Sequence, residues 1–331
     1  MTDHKLGRSA GPASLADLLA ALKAAADPTR LRLLSLCEGE ALSVGELVEI
    51  LGQSQPRVSR HLKLLAESGL LVRNRDGASV FYRLTPSSPL AERLAALLPQ
   101  QDPELASDRG RLKDLRQRRA QKASAYFAAN ARRWDALRSL HVDDAVIERT
   151  LLDALLGHQP KRLADIGTGT GRMLELFAPH VVQAAGIDGS REMLDVARLK
   201  LEARGIRNVD LRHADLTHLP LKSTSFDLAL IHQVLHFAPH PEQLLAEAAR
   251  ILAPGGRLAV IDLAPHDLEV LRLEHQHRRL GFAAAELEEA LREAGLIPYD
   301  TRTLPGRPLA VTIWLAAKPQ PAEATDKGPN S

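Results

Sequence analysis

The chain has 331 residues, 45% of them hydrophobic and 25% charged, with 43 Lys and Arg against 41 Asp and Glu. That is apolar material for two cores, and not the composition of a disordered or fibrous chain. Its one cysteine, Cys37, excludes an intrachain disulfide and any multi-thiolate metal or iron–sulfur site. No apolar run reaches the roughly 18 residues of a membrane span, and the start, MTDHKLGRSAGPAS, lacks the apolar segment of a secretory signal. A cytoplasmic protein with no membrane contact is expected.

The small net charge hides an asymmetry. Residues 1–99 hold 12 bases and 10 acids, residues 100–133 hold 9 and 4, and residues 134–331 hold 22 and 27. A basic front and an acidic back suggest that only the front meets a polyanion.

The first hundred residues read as short helices. Leu15, Leu18, Leu19 and Leu22 fall on one helical face. Pro28 opens a second helix, PTRLRLLSLC, at a first-turn position that tolerates proline. Ser43 caps a third, SVGELVEILG, with Glu46 completing a capping box and Gly52 ending it. A fourth helix runs through SQPRVSRHLKLLAESG. There Val58, Leu62 and Leu65 must face inward, which leaves Ser54, Gln55, Arg57, Ser59, Arg60 and Lys63 outward. Two alternating segments, LLVRNR and SVFYRL, follow across Asp76-Gly77, a strong hairpin signal. Helix, turn, helix and basic hairpin is the logic of a winged helix-turn-helix. Its second helix enters the major groove, and the hairpin offers Arg73, Arg75 and Arg83 to the backbone or minor groove.

These roughly 80 residues, LKAAADPTRLRLLSLC and LSVGELVEILGQSQPRVSRHLKLLAESGLLVRNRDGASVFYRL, resemble the ArsR/SmtB family of bacterial repressors. The resemblance implies a homodimer, assembled through the first and last helices of the domain, on palindromic double-stranded operator DNA. The family often senses metals through cysteines of its third helix or His/Asp ligands of its last. Here Val44 and Gly45 stand in the third helix and residues 85–99 hold no histidine. No metal site is expected, and Cys37 reads as a small core residue.

Pro86, Pro89, Pro99 and Pro103 punctuate the middle, and residues 104–122 read as an exposed charged helix. The expected division is a DNA-binding domain over 14–99, connector and cap helices over 100–142, and a second domain over 143–317.

From residue 160 short apolar runs alternate with helices, the pattern of βαβ units on a parallel sheet. The strand KRLADIG runs into Gly167-Thr168-Gly169-Thr170-Gly171 and then a helix. Small residues there let the backbone approach a ligand, and the helix start offers free N–H groups. The next strand, VVQAAGID, ends on Asp188, an acid placed for the two hydroxyls of a ribose. The loop is D-x-G-x-G-x-G, not the G-x-G-x-x-G of dinucleotide sites. Asp165 would repel a pyrophosphate and suits a ligand carrying an ammonium group.

The motifs ADIGTGTGR, GIDGSREMLDVAR, HADLTHLPL, FDLALIHQVLHF and RILAPGGRLAVID resemble class I S-adenosylmethionine-dependent methyltransferases, close to those of ubiquinone and menaquinone synthesis, over about residues 125–316. The resemblance implies an α/β, Rossmann-like seven-stranded fold whose last two strands, LIPYDTRTL and PLAVTIWLAAK, are reversed. It implies S-adenosylmethionine or S-adenosylhomocysteine as ligand. Asp165 would sit at its amino-acid end, over Gly167, Gly169 and Gly171. Asp188 would take the ribose and Met193 pack near the adenine. Asp215 would accept from the adenine amino group beside Leu216. His232 and Gln233 would face the sulfonium and the acceptor. Tyr126 and Phe127, in a segment like the family's cap helix, are candidates to close the site.

Methyl transfer mainly requires alignment and exclusion of water. If a base is needed, the candidates are His232, His236, His275 and His277. His232 and His236 also have the spacing of a metal pair, but without a nearby third ligand. Arsenite methylation would need several cysteines. The chain therefore reads as a DNA-binding regulator whose second domain binds the cofactor and methylates a small molecule. The alternative is a silent methyltransferase fold that senses the cofactor or its product and so controls operator binding.

Overall fold

The computed structural model describes residues 14–38, 41–76, 79–85, 88–131, 134, 144–306 and 308–320. The chain splits into two compact units, residues 1–121 and 122–331.

In the first unit α1 (Leu15–Ala25) starts on Ser14, whose hydroxyl accepts from the Asp17 N–H. The Asp27 carboxylate likewise caps α2 (Pro28–Leu36). Ser43 and Glu46 form the expected capping box on α3 (Val44–Leu51), which ends in a left-handed Gly52. Then comes α4 (Gln55–Glu67), with Val58, Leu62 and Leu65 buried as its spacing requires. Strands β1 (Leu42–Ser43), β2 (Leu71–Asp76) and β3 (Ser79–Leu84) form an antiparallel sheet in the order β1-β3-β2. Next are α5 (Pro89–Ala96) and a long α6 (Pro103–Asn130).

Two features of this unit go beyond the sequence pattern. On α1 it is Ala21 and Ala25 that are buried, while Leu15, Leu19 and Leu22 are 72%, 46% and 41% exposed. The leucine stripe thus has no cover within the described residues of the chain. On α6, Leu112 and Leu115 join the core of the first unit, and Asp108, buried beside them, accepts two bonds from the Arg32 guanidinium at 2.6 and 2.7 Å. The paired geometry replaces hydrogen bonds that the buried carboxylate would otherwise make to water. Cys37 is buried in the same core.

The second unit is a seven-stranded sheet in the order β6-β5-β4-β7-β8-β10-β9. Its strands are β4 (Arg162–Ile166), β5 (Gln183–Asp188), β6 (Val209–His213), β7 (Phe226–His232), β8 (Leu252–Leu263), β9 (Ile297–Leu304) and β10 (Val311–Ala317). The central strands are apolar because both faces are covered. On β7, Ala229 and Ile231 pack with α10 (Pro241–Ile251) and α12 (Ala284–Glu293). Leu228 and Leu230 pack on the other face, with α7 (Asp144–Leu155) and α8 (Arg172–Phe177). The remaining helices are α9 (Arg191–Ala203) and α11 (Glu269–Glu274).

Strands β4 to β8 pair in parallel, and β10 is antiparallel to both β8 and β9. Only β10 is therefore reversed. β9 runs with the parallel strands, because the short link from β9 to β10 makes a hairpin, while α12 returns the chain before β9.

Candidate functional site

In the first unit α4 exposes Ser54, Gln55, Arg57, Arg60 and Lys63, with Ser59 half-buried. Lys63 leans toward Glu67 one turn on, at 3.7 Å. Arg73, Arg75 and Arg83 are exposed on the hairpin, but not on one face. Arg73 pairs across with Tyr82 and Arg75 with Val80, whereas Arg83 pairs with Val72. Strand alternation then sets Arg83 opposite Arg73 and Arg75. A groove of about 640 Å³ runs between α4 and the hairpin, lined by Gln55, Ser59, Lys63, Arg73 and Tyr82 among others. Side chains of α4 and one face of the hairpin thus share a largely apolar concavity that carries the bases Lys63 and Arg73 and the acid Glu67, and Arg83 is not among its lining residues.

In the second unit the glycine-rich turn leaves the carboxyl end of β4, where ligands of open α/β sheets bind. Gly167, Gly169 and Gly171 have φ of +74°, +52° and +82°. A Cβ on Gly167 would stand 2.4 Å from a methyl of Val234, so a side chain there is excluded by both backbone and space. The N–H groups of Gly167 and Thr168 both donate to the Ile187 carbonyl, tying the turn to the end of β5. Asp165 is buried, and the Thr168 hydroxyl donates to it at 2.6 Å.

Asp188, at the end of β5, accepts from the Gly169 N–H through one oxygen and from the Ser190 N–H through the other, each at 2.8 Å. Burial pushes its carboxyl pKa up, partly offset by these two N–H donors. Two bonds leave lone pairs on both oxygens, enough for two hydroxyl donors. Met193 is buried in the first turn of α9, whose N-cap is Ser190. Asp215 is exposed after β6 and held in a turn by the Thr217 N–H and hydroxyl, with half-buried Leu216 beside it.

His232 ends β7 and is buried. Gln233 follows with φ +55°, uncommon outside glycine. Its Nε2 is buried and lacks a hydrogen-bond partner among the described residues. His236 lies in a separate 3-10 turn, Leu235–Phe237, so the two histidines do not share a helix face. His236 Nδ1 is 2.7 Å from Asp262, at the end of β8, and its ring stacks on His277 with centroids 4.1 Å apart.

An aromatic cluster adjoins this edge. Tyr126 and Phe127, near the end of α6, meet Trp134 and Phe237 edge-on at centroid separations between 5.0 and 6.3 Å. The Trp134 indole nitrogen lies 3.8 Å from where a Cβ on Gly169 would stand. The Tyr126 hydroxyl is 2.7 Å from His275 Nδ1.

The structure therefore brings Gly167, Gly169, Asp188 and Gln233 to the carboxyl edge of the sheet, and connects Tyr126 and His236 to one aromatic cluster. Sequence reasoning missed Trp134, Val234, Phe237 and Asp262. Asp262 carried a readable signal, since an acid closes the apolar run AVID as one closes AAGID. Trp134 carried none.

This strand order, with one reversed strand next to the edge and a glycine-rich turn after the first strand, defines a Rossmann-like methyltransferase fold behind an N-terminal helix-turn-helix unit. Residues 164–260 match the methyltransferase domain family, and residues 27–72 match the arsR family of bacterial regulatory proteins. The demethylmenaquinone methyltransferase of Deinococcus radiodurans is 35% identical over 173 residues, 49% of this chain and 70% of that protein. That of Thermus thermophilus is 39% identical over 145 residues, 42% of this chain, which spans 64% of its length. One chain of the solved complex between the Haloferax volcanii Trm112 methyltransferase activator and a methyltransferase aligns with a TM-score of 0.51 and 22% identity, over 60% of this chain and 98% of that one. It shares the fold. The chain belongs to the methyltransferase family, with an ArsR-type helix-turn-helix fused ahead of the catalytic fold. No described helix is long and apolar enough to cross a membrane.

Proposed function

We propose that the protein is a cytoplasmic, DNA-binding transcriptional regulator, with DNA recognition in residues 14–99 and a methyltransferase domain in 143–317 that binds S-adenosylmethionine and methylates a small molecule. The carrying observation is Asp188, whose carboxylate is fixed by the Gly169 and Ser190 N–H groups beside the glycine turn. A desolvated, pre-oriented carboxylate with spare lone pairs suits ribose hydroxyls. The orphaned Gln233 amide supplies a donor that a ligand carboxylate or acceptor oxygen can satisfy. Asp165 would meet the ammonium, Met193 and Leu216 the adenine face, and Asp215 its amino group. When bound, the cofactor supplies a methyl group already activated on sulfur.

On the DNA side, the groove residues Gln55, Ser59, Lys63 and Arg73, with Arg57 and Arg60 on the same helix, fit base edges and phosphates. The exposed Leu15, Leu19 and Leu22 stripe fits a homodimer contact through α1. The sensing alternative draws on the presence of an ArsR-type helix-turn-helix and a methyltransferase domain in one chain. Any ligand linkage would be reciprocal.

The test is calorimetric titration of the full chain with S-adenosylmethionine and S-adenosylhomocysteine, followed by binding of duplexes selected from a random library with and without each ligand. Saturable binding of either ligand supports the site, and none refutes it. No selected duplex refutes DNA recognition, and no shift on adding ligand refutes the sensor.

A further inference from the structure

Residues 214–225 link β6 to β7, and this loop carries Asp215 and Leu216. Its start is tied to the end of β5, where the Ala214 N–H donates to the Asp188 carbonyl at 3.1 Å. Its second half is strapped down from α10. The Glu247 carboxylate accepts from the Leu219 N–H at 2.7 Å. The Arg250 guanidinium donates to the Leu219 carbonyl at 3.1 Å, to the Leu221 carbonyl at 2.9 Å and to the Ser223 hydroxyl at 3.1 Å. Arg212 of β6 adds a bond to the Pro220 carbonyl at 2.5 Å. Between these anchors Leu219 and Leu221 are buried in the core.

Glu247 and Arg250 stand three positions apart, on one face of α10. They bond to each other at 2.7 and 2.8 Å, and both are half-buried. The bond to Arg250 holds the Glu247 carboxyl below the usual carboxylate range, against a smaller upward push from burial. An ion pair taken out of water is a weak source of net stability, and its best-attested use is to fix one arrangement among several. What this pair fixes is the path of the loop. The stretch from Asp215 to His218 spans the gap between the Asp188 and Leu219 anchors. Within it Asp215 Oδ1 accepts from the Thr217 N–H and hydroxyl, each at 2.8 Å, and the Asp215 carbonyl accepts from the His218 N–H. Among the described residues both bonds to this carboxylate fall on Oδ1, so an incoming donor would meet Oδ2. The carboxylate is set by its own turn, and the turn by the straps.

We propose that Glu247 and Arg250 are positioning residues for base recognition, which hold loop 214–225 so that Asp215 is aimed at an exocyclic amino group and the site selects adenine over hypoxanthine. This rests on the cofactor reading above. Adenine presents an N–H donor at its C6 position, which a carboxylate accepts. Hypoxanthine presents a carbonyl oxygen there, which a carboxylate repels. The repulsion discriminates only if the carboxylate is held in place, because a loose loop swings away from the wrong base at little cost.

The experiment measures, by calorimetry on the full chain, the affinities for S-adenosylhomocysteine and S-inosylhomocysteine, which differ only at C6 of the base and the adjoining ring nitrogen. Wild type should favour S-adenosylhomocysteine by about tenfold or more, equivalent to about 1.4 kcal/mol. Glu247→Ala and Arg250→Met should each bring the ratio to within about threefold, chiefly by weakening S-adenosylhomocysteine. Glu247→Gln, isosteric and still able to accept from the Leu219 N–H, should keep an intermediate ratio, and it carries the test if the larger changes do not fold. A role in stability alone would weaken both ligands together or lower the melting temperature and leave the ratio standing, and a wild-type ratio in all three variants overturns the proposal. A wild-type ratio near one overturns base recognition by Asp215 as well. Failure of S-adenosylhomocysteine itself to bind wild type is a separate result, which overturns the cofactor reading.

Discussion

Gly167→Ala gives the sharpest perturbation of the glycine turn. The new Cβ would stand 2.4 and 2.9 Å from the two methyl carbons of Val234, on a residue with φ +74°. Carbon atoms rest at about 3.5–4.0 Å, so one or both must move by about 1 Å. A left-handed alanine costs about 1–2 kcal/mol, and forced overpacking typically another 1–3 kcal/mol. The chain can avoid most of this by shifting the turn, but the turn holds Gly169 against Asp188. The expected outcome is therefore a loss of about 2–4 kcal/mol, divided between melting temperature and ligand affinity. If half falls on affinity, S-adenosylhomocysteine binds about 5- to 30-fold more weakly by calorimetry. Gly110→Ala is the control. It is a helical glycine of α6 with nothing within 4 Å of its would-be Cβ, and alanine there should stabilise by about 0.5–1 kcal/mol without touching affinity. Wild-type affinity and melting temperature in Gly167→Ala would refute the close-approach argument.

Other expectations follow from the same geometry. Arg60→Ala should weaken duplex binding at every sequence and lower the salt slope by about 0.9, the value of one phosphate contact; an unchanged slope in a fluorescence titration counts against α4 as the reading helix. The raised pKa of Asp188 means that its folded form binds a proton more readily than the unfolded chain. The free protein then gains a little stability as pH falls through that pKa, while affinity for S-adenosylhomocysteine drops over the same range because protonation removes an acceptor. Asp188→Asn should flatten that pH dependence, and a wild-type profile in the variant would sink the assignment. Arg32→Ala strands the buried Asp108 carboxylate and should cost about 3 kcal/mol in denaturant unfolding. Arg32→Met combined with Asp108→Leu should recover most of that loss, since an apolar pair leaves no stranded charge.

Much of the site was legible because its demands are local. A glycine turn after an apolar strand, and an acid closing the next one, are requirements of short stretches of chain. So were the Ser43/Glu46 capping box and the inward face of α4. What escaped depends on partners distant in sequence or on register. The bond from Tyr126 to His275 spans 149 positions, and that from His236 to Asp262 spans 26. Arg83 looked like a third basic tooth of the hairpin, but one residue of register decides its face. The reversal of β10 alone depended on which neighbour β9 joins. The charged stretch 104–122 concealed Leu112, Leu115 and the Asp108 pair, because a helix with few apolar positions can still bury one narrow stripe.

The placement of the two tryptophans has an optical consequence. Trp314 is fully buried in β10, with its indole N–H donating to the Ala284 carbonyl at 3.2 Å. It is insulated from solvent and should emit at the blue edge whatever the protein binds. Trp134 is half-buried against the glycine turn and sits among Tyr126, Phe127 and Phe237. In Trp314→Phe the remaining tryptophan emission would come from Trp134 beside the glycine turn. The fold thus carries its own fluorophore beside the candidate cofactor turn, with no label added.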